Sequence, residues 1–437
     1  MNEESLMRSR IKKILMICSN YDAFTLEEDG RIESQVVGEY RELNLSNPPT
    51  FIWANSSTEA AEVIASDAEI DMIMCMYNDR DKGIFDFAAE LKKNGSNIPF
   101  IMLIHYSKAV KQRLFEHDRS GIDFVFSWNG NADLILAIVK LIEDSVNAEN
   151  DVFEVGVRVI LLVEDSVRYY STYLPELYKL LITQSREFLT EFLNEGQRKY
   201  RKRSRPKILL ATCYDDALAY FEKYKDNLMG VISDVGMVIH KGDSSKSEKI
   251  DAGIDLVKRI KEYDPLMPVL LQSSQGSMAK VAEELGVGFL KKFSRTLFMQ
   301  LGDYMKQEFG FGDFVFKDAA GTEYGRAASL TELEKIIGDI PDEILVSNTS
   351  RNMFSKWLYA RGLFILADTF KEAHHTVATE FRSFLGEQIN KYHQMIGQGV
   401  IAEFREESYQ DYFWFSRIGE GSLGGKARGL AFLNHLV

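Results

Sequence analysis

Five side chains stand where apolar runs meet polar ones. Glu164 and Asp165 follow RVILLV, Asp234 closes MGVISD, Ser273 closes PVLLQS, and Lys292 follows GFLK. If these runs are neighbouring strands of one sheet, three carboxylates, a hydroxyl and an ammonium converge on a single edge. Acids so clustered repel one another, a conflict that a cation resolves, and a carboxylate among them can attack phosphorus to form an acyl phosphate.

The elements that must position this set repeat along the chain. From Ile11 to about Ala148, apolar runs (ILMI, FIWA, DMIMCM, PFIMLI, FVFS) alternate with amphipathic stretches such as EAAEVIA, FDFAAELKK, KAVKQRLF and ADLILAIVKLIED. A second pass begins at Val157 with RVILLV, a long helix, KILLAT, DDALAYFEKY, MGVISD, GIDLVKRIKEY, PVLLQS, MAKVAEELG, GFLKK and LFMQLGDYMKQEF. Strand and helix periods in alternation predict βαβ units, and apolar strands without a polar face predict a parallel sheet covered on both sides. The order reads (βα)5 twice, and in such sheets ligands bind beyond the carboxyl ends of the strands.

The second pass, from Val157 to Phe309, resembles the receiver domain of bacterial response regulators. On that resemblance the fold class is α/β, with two flavodoxin-like (βα)5 domains and doubly wound parallel sheets. Asp234 matches the phospho-accepting aspartate, Glu164 and Asp165 the acidic metal pair, Ser273 the switch hydroxyl, Phe289 the switch aromatic and Lys292 the invariant lysine. The resemblance implies Mg²⁺ held by Asp165, Asp234 and the Gly236 carbonyl, with Glu164 acting through water. It also implies a histidine kinase or phosphotransfer protein as donor. Two departures stand out: Phe293 replaces the proline that usually follows the lysine, and the loop VIHKGDSSKSEKIDAG after Asp234 is longer than the family norm.

The first pass, residues 1–148, keeps the pattern and loses the chemistry. Cys18 and Ser19 fall at the acid pair, Met76 at the acceptor, Ile104 at the hydroxyl and Ser127 at the lysine. It resembles a pseudo-receiver, retained for packing or partner contact. Asp79 and Asp81 lie just past the third strand as a relocated acceptor, without a supporting lysine or acid pair. Cys18 and Cys75 read as small core residues rather than a redox pair.

From Ser166 to Gly196 the pattern predicts one extended helix, kinked or restarted at Pro175, with Leu174, Leu177, Leu181, Phe188, Phe192 and Leu193 on a stripe. That stripe either docks on another domain or a second copy, making a homodimer, or packs on its own chain. The following run, RKYRKRSRPK, carries seven Lys or Arg among ten residues. Without a recognition-helix context it reads as a solvated loop, and no nucleic-acid partner follows from it.

Residues 310–410 read as a hairpin around Ala-Gly-Thr, a helix with a capping box at Ser329 and Glu332, and two longer helices around MFSKWLYARGLFILADTF and TVATEFRSFLGEQINKYHQMI. Adjacent His374 and His375 point different ways on a helix and are poor joint metal ligands. Residues 411–437 end in GSLGGKARGLAFLNHL, similar to the opening of the nucleotide-binding domain in the phosphoenolpyruvate synthase and pyruvate phosphate dikinase family. On that resemblance Gly424 and Gly425 allow close backbone approach to phosphates and Lys426 contacts them, so that ATP binds only with the rest of such a domain present. The expectation is a regulatory portion of a longer phosphotransferase, its receiver acting on that downstream catalytic domain. The alternatives are an interaction scaffold with both units inert, or the N-terminal portion of an ATP-dependent phosphotransferase.

With 437 residues, about three domains are expected at ~150 residues each. The net charge of −13 opposes non-specific binding to nucleic acid. No apolar stretch reaches the ~18 residues of a membrane span. Three scattered cysteines make no disulfide framework, and a reducing cytoplasm is expected.

Overall fold

The computed structural model describes residues 6–20, 32–43, 45–66, 69–78, 81, 83–105, 107, 110, 117–188, 200–243, 247–373, 375–397, 401–404, 415–419 and 423–436. In the first unit the strands are β1 (Lys13–Ile17), β2 (Thr50–Ala54), β3 (Met72–Met76), β4 (Phe100–Ile104) and β5 (Phe124–Ser127). Its helices are α1 (Ile32–Glu42), α2 (Ser57–Ser66), α3 (Ile84–Lys93) and α4 (Ala132–Val155). In the second unit the strands are β6 (Val159–Val163), β7 (Lys207–Ala211), β8 (Leu228–Asp234), β9 (Val269–Ser273) and β10 (Gly288–Lys291). The helices between and after them are α5 (Val167–Glu187), α6 (Tyr214–Tyr224), α7 (Ala252–Tyr263), α8 (Met278–Glu284) and α9 (Leu297–Glu308). Both sheets are parallel, ordered β2-β1-β3-β4-β5 and β7-β6-β8-β9-β10. The protein therefore contains two flavodoxin-like α/β domains, each with its strand order reversing beside its first strand. The segment KAVKQRLF lies mostly outside the described residues.

Helix α4 joins the units. It runs past residue 148 to Val155 and stops at Gly156, whose φ of +85° closes the turn through Gly156 N–H to Val152 O and Val157 N–H to Asp151 O. Apolar residues on nearly every side of its first half are buried, as suits a helix sandwiched between two domains. It packs on α5 and on edge strand β7, while α5 packs on edge strand β5. Each unit thus covers an edge of the other.

A polar seam runs through this junction. Glu143, Asn147 and Asp151, one turn apart on α4, take the backbone N–H groups of Ile11, Ser9 and Met7. Asp144 accepts two hydrogen bonds from Arg205 at 2.8 Å each, one from Tyr178 at 2.9 Å and one from Ile208 N–H at 3.0 Å. Lys207 pairs with Asp151 at 2.8 Å, both fully buried. This corrects the reading of RKYRKRSRPK as a solvated loop, since Arg201, Ser204, Arg205 and Lys207 are all buried. Composition marks a basic run, but its acidic partners stand some sixty residues earlier on another domain's helix.

The long helix docks on another domain of the same chain, the first unit, with Leu174, Leu177, Leu181 and Phe188 in the core, and it runs unbroken through Pro175. Phe192 and Leu193 lie outside the described residues.

Beyond α9 come the antiparallel hairpin β11 (Phe314–Lys317) and β12 (Glu323–Ala327) and the helices α10 (Leu330–Ile336), α11 (Asp342–Ser350), α12 (Met353–Ala360), α13 (Phe364–Glu372) and α14 (Ala378–Gly397). Ser329 Oγ caps α10 by accepting from Glu332 N–H at 3.2 Å, and the Glu332 carboxylate accepts from Ala328 N–H at 2.8 Å. The segment MFSKWLYARGLFILADTF is not one helix: it breaks between α12 and α13 at Gly362, φ +56°. There Arg361 turns inward, stacks on Trp357 and donates to the Gly310, Gly312 and Ala328 carbonyls. His374 lies outside the described residues, while His375 packs on Phe384.

This helical connector docks on the amino-terminal edge of the second sheet. Arg158, just before β6, bonds Asp368 at 2.9 Å and stacks 3.5 Å over the Tyr359 ring, and Lys356 donates to Leu266 O. Short strands β13 (Ile401–Glu403) and β14 (Phe415–Arg417) pair in parallel, and α15 (Gly425–Leu436) begins at the second glycine of Gly-Gly-Lys. Among the described residues no helix is long and apolar enough to cross a membrane.

Candidate functional site

The carboxyl ends of β6, β8, β9 and β10 bring the second unit's chemical residues together. Glu164 and Asp165 follow β6, Asp234 ends β8, Ser273 ends β9 and Lys292 follows β10. Carboxylate oxygens of Glu164, Asp165 and Asp234 lie within 4.8 Å of one another. The Lys292 ammonium bridges two of them, at 2.7 Å from Glu164 and 2.5 Å from Asp234. Glu164 is buried and its other oxygen accepts from Ser166 N–H at 3.1 Å, so both of its oxygens are held by protein donors. Asp165 accepts from Val238 N–H at 3.1 Å, and Asp234 from Val235 N–H at 2.7 Å.

The electrostatics follow from burial and crowding. Burial, then the Asp234 charge, push the Glu164 carboxyl above its usual range in spite of Lys292. Burial pushes Asp165 up to about 6; the Val238 N–H opposes this and the Glu248 and Asp234 charges add to it. Burial alone would lower the Lys292 ammonium, but Glu164 and Asp234 outweigh it and hold it above its ordinary value. An edge with more carboxylates than ammoniums, all facing one point, suits a hard divalent cation, and the all-oxygen donor set fits Mg²⁺.

Ser273 is buried beside this cluster, its Oγ accepting from Gln275 N–H at 3.2 Å. Phe289, two residues into the edge strand, is partly buried against the second unit's core. Phe293 takes the backbone to φ +67° right after the lysine and exposes its ring. Lys292 still reaches both acids, and its ammonium sits 4.2 Å over the ring of Tyr169, which itself packs edge-on against Phe293. Sequence reasoning passed over Tyr169, although its place on the first turn after the acid pair is a usable signal.

Among the described residues the first unit brings no acids together at the matching edge. Equivalent positions are fixed by register: β4 and β5 pair Ile104 with Ser127 as β9 and β10 pair Ser273 with Lys291. The residue matching Lys292 is therefore Trp128, not Ser127. Trp128 N–H bonds Ile104 O at 2.8 Å just as Lys292 N–H bonds Ser273 O at 2.9 Å, and the indole is buried. Cys18, Met76 and Ile104 are buried in the hydrophobic clusters, while Ser127 N–H donates to Ser171 Oγ of α5 at 2.9 Å. Asp81 is spent on the N-terminus of α2, accepting from Ser57 N–H at 2.9 Å and Ser57 Oγ at 3.0 Å. Asp79 lies outside the described residues. Cys18 and Cys75 are buried and form no disulfide. At the other end of the chain, Gly424, Gly425 and Lys426 open α15 on an exposed surface.

No protein-family model matches the chain, and no curated protein matches it significantly. Two solved structures are similar to it, both described as two-component system response regulator/GGDEF domain proteins. They share 14% and 15% identity, cover 68% of this chain and 98% and 99% of their own, and superpose with a TM-score of 0.28 each. A likeness at that level bears on no residue of the site.

Proposed function

We propose that the second unit is a signalling switch that accepts a phosphoryl group on Asp234. The observation that supports it is the Lys292 ammonium bridging Glu164 and Asp234 beside Asp165. An Asp234 carboxylate oxygen attacks the phosphorus of a phosphohistidine donor; the new P–O bond forms as the P–N bond breaks, and the leaving imidazole takes up a proton. Asp165, Asp234 and the Gly236 carbonyl would hold Mg²⁺, which when bound neutralises charge on the transferring group. Glu164 orients Lys292. Lys292 pairs with Asp234 before transfer and with a phosphoryl oxygen after it, and the Ser273 hydroxyl turns to bond another, with Phe289 responding behind it.

In this reading the donor is a histidine kinase or a phosphotransfer protein. The first unit is a pseudo-receiver that serves as a packing and binding module. The connector and the Gly424–Gly425–Lys426 helix start link the switch to an ATP-dependent phosphotransfer domain. A small phosphodonor with Mg²⁺ should place an acid-labile, hydroxylamine-sensitive label on the full chain. Asp234→Asn should abolish it, and undiminished labelling of that variant would overturn the assignment.

A further inference from the structure

The Lys292 ammonium has three N–H donors, and it spends them among Glu164 at 2.7 Å, Asp234 at 2.5 Å and the face of the Tyr169 ring, whose centre lies 4.2 Å from the nitrogen. The lysine side chain is only 4% exposed, so water has little access to it. A cation over an aromatic ring is drawn to the negative face, and the attraction grows where water is excluded.

The ring is itself held in position. Phe293 packs edge-on against it at 5.5 Å, and Tyr173, one turn further along α5, stacks on it at 6.2 Å and stands edge-on to Phe298 at 5.8 Å. Phe293, the residue that departs from the receiver pattern, therefore packs on the ring that faces the lysine. The two residues after Tyr169 tie the same turn to β5 of the first unit: the Tyr170 hydroxyl donates to Val125 O, and Ser171 Oγ accepts from Ser127 N–H at 2.9 Å.

We propose that Tyr169 is a positioning residue for phosphoryl acceptance, its ring face keeping the Lys292 ammonium in place while Asp234 gives up that contact to attack phosphorus. This rests on the phosphoryl-acceptor reading above. Once the Asp234 charge is committed to phosphorus, buried Glu164 alone would draw the ammonium inward, away from the phosphoryl oxygen it has to meet. A ring face attracts a cation without demanding a single donor direction, so the ammonium can shift toward that oxygen and keep its aromatic partner. The phenol hydroxyl takes no part.

The test is the rate at which acetyl phosphate labels the full chain in the presence of Mg²⁺. Tyr169→Leu should slow labelling about tenfold, the size of a cation–ring attraction at a site largely shielded from water. Tyr169→Phe keeps the ring and loses the hydroxyl, and should stay within about twofold of the parent. Repeating Tyr169→Phe with one, two and three fluorines on the ring separates attraction from packing, because fluorine withdraws charge from the ring face while barely changing its size. The rate should fall stepwise along that series. A flat series overturns the proposal, as does a Tyr169→Leu rate within about twofold of the parent, or a Tyr169→Phe rate as low as that of Tyr169→Leu. If the parent chain takes no label, the acceptor reading itself fails and this one falls with it; if the parent is labelled and the fluorinated series is flat, that reading stands and only this one falls.

Discussion

Truncating Asp144 should break the junction between the two units. Its carboxylate is fully buried and accepts four hydrogen bonds, two of them from a buried guanidinium. Asp144→Ala leaves the Arg205 charge without its carboxylate, and the Tyr178 hydroxyl and Ile208 N–H without an acceptor. Removing one partner of a buried pair costs about 3–5 kcal/mol. Each orphaned neutral donor adds about 1–3 kcal/mol unless water fills the space left behind. Because water will enter a polar hole of this size, about 4 kcal/mol is the expected loss, a large part of the ~5–15 kcal/mol that holds a domain folded. The assay is urea unfolding of the full chain, following far-UV dichroism and tryptophan fluorescence together. The transition should move to lower urea, and the two probes should separate as the units unfold independently. Arg205→Met in the same background should recover part of the loss, because the stranded charge is gone. A loss below about 1 kcal/mol for Asp144→Ala, or no recovery in the double variant, would refute the assignment of this pair as the tie.

Two further outcomes follow from packing and burial. A Cβ on Gly253 would lie 2.0 Å from Asp234 O, a backbone atom that cannot swing aside; Gly253→Ala should cost about 1–3 kcal/mol in chemical denaturation and lower phosphoryl labelling by shifting Asp234. Burial lowers His393 from 6.5 to about 4. Below 6.5 the unfolded chain therefore takes up a proton that the folded chain refuses, and stability falls as the pH drops toward 4. Between pH 7 and pH 5 this one group should remove about 2 kcal/mol, and the pH slope of the melting temperature should flatten in His393→Gln.

Where sequence reasoning succeeded, the physics was local. Buried parallel strands must be apolar on both faces, so ILLV, VIS and VLL announce themselves, and acids that end such runs can only lie at a sheet edge. Ser329 and Glu332 carry their cap within four residues. The failures are all non-local. Nothing near Arg205 and Lys207 reveals Asp144 and Asp151. Ser127 and Trp128 are one residue apart, and only the β4–β5 register decides which of them sits at the lysine position. The break at Arg361–Gly362 depends on three carbonyls from the hairpin side of the connector.

The placement of the connector has a consequence for competition. It grips the second sheet at its amino-terminal edge, through Arg158 and Lys356, while Phe293 and Met299 stand exposed on the side where β10 and α9 lead away from the site. Among the described residues no connector helix covers those two side chains, so a partner landing there would have no tethered helix to displace. Binding in trans and attachment in cis would then be independent occupancies of one domain, and raising such a partner's concentration would saturate the first without titrating out the second.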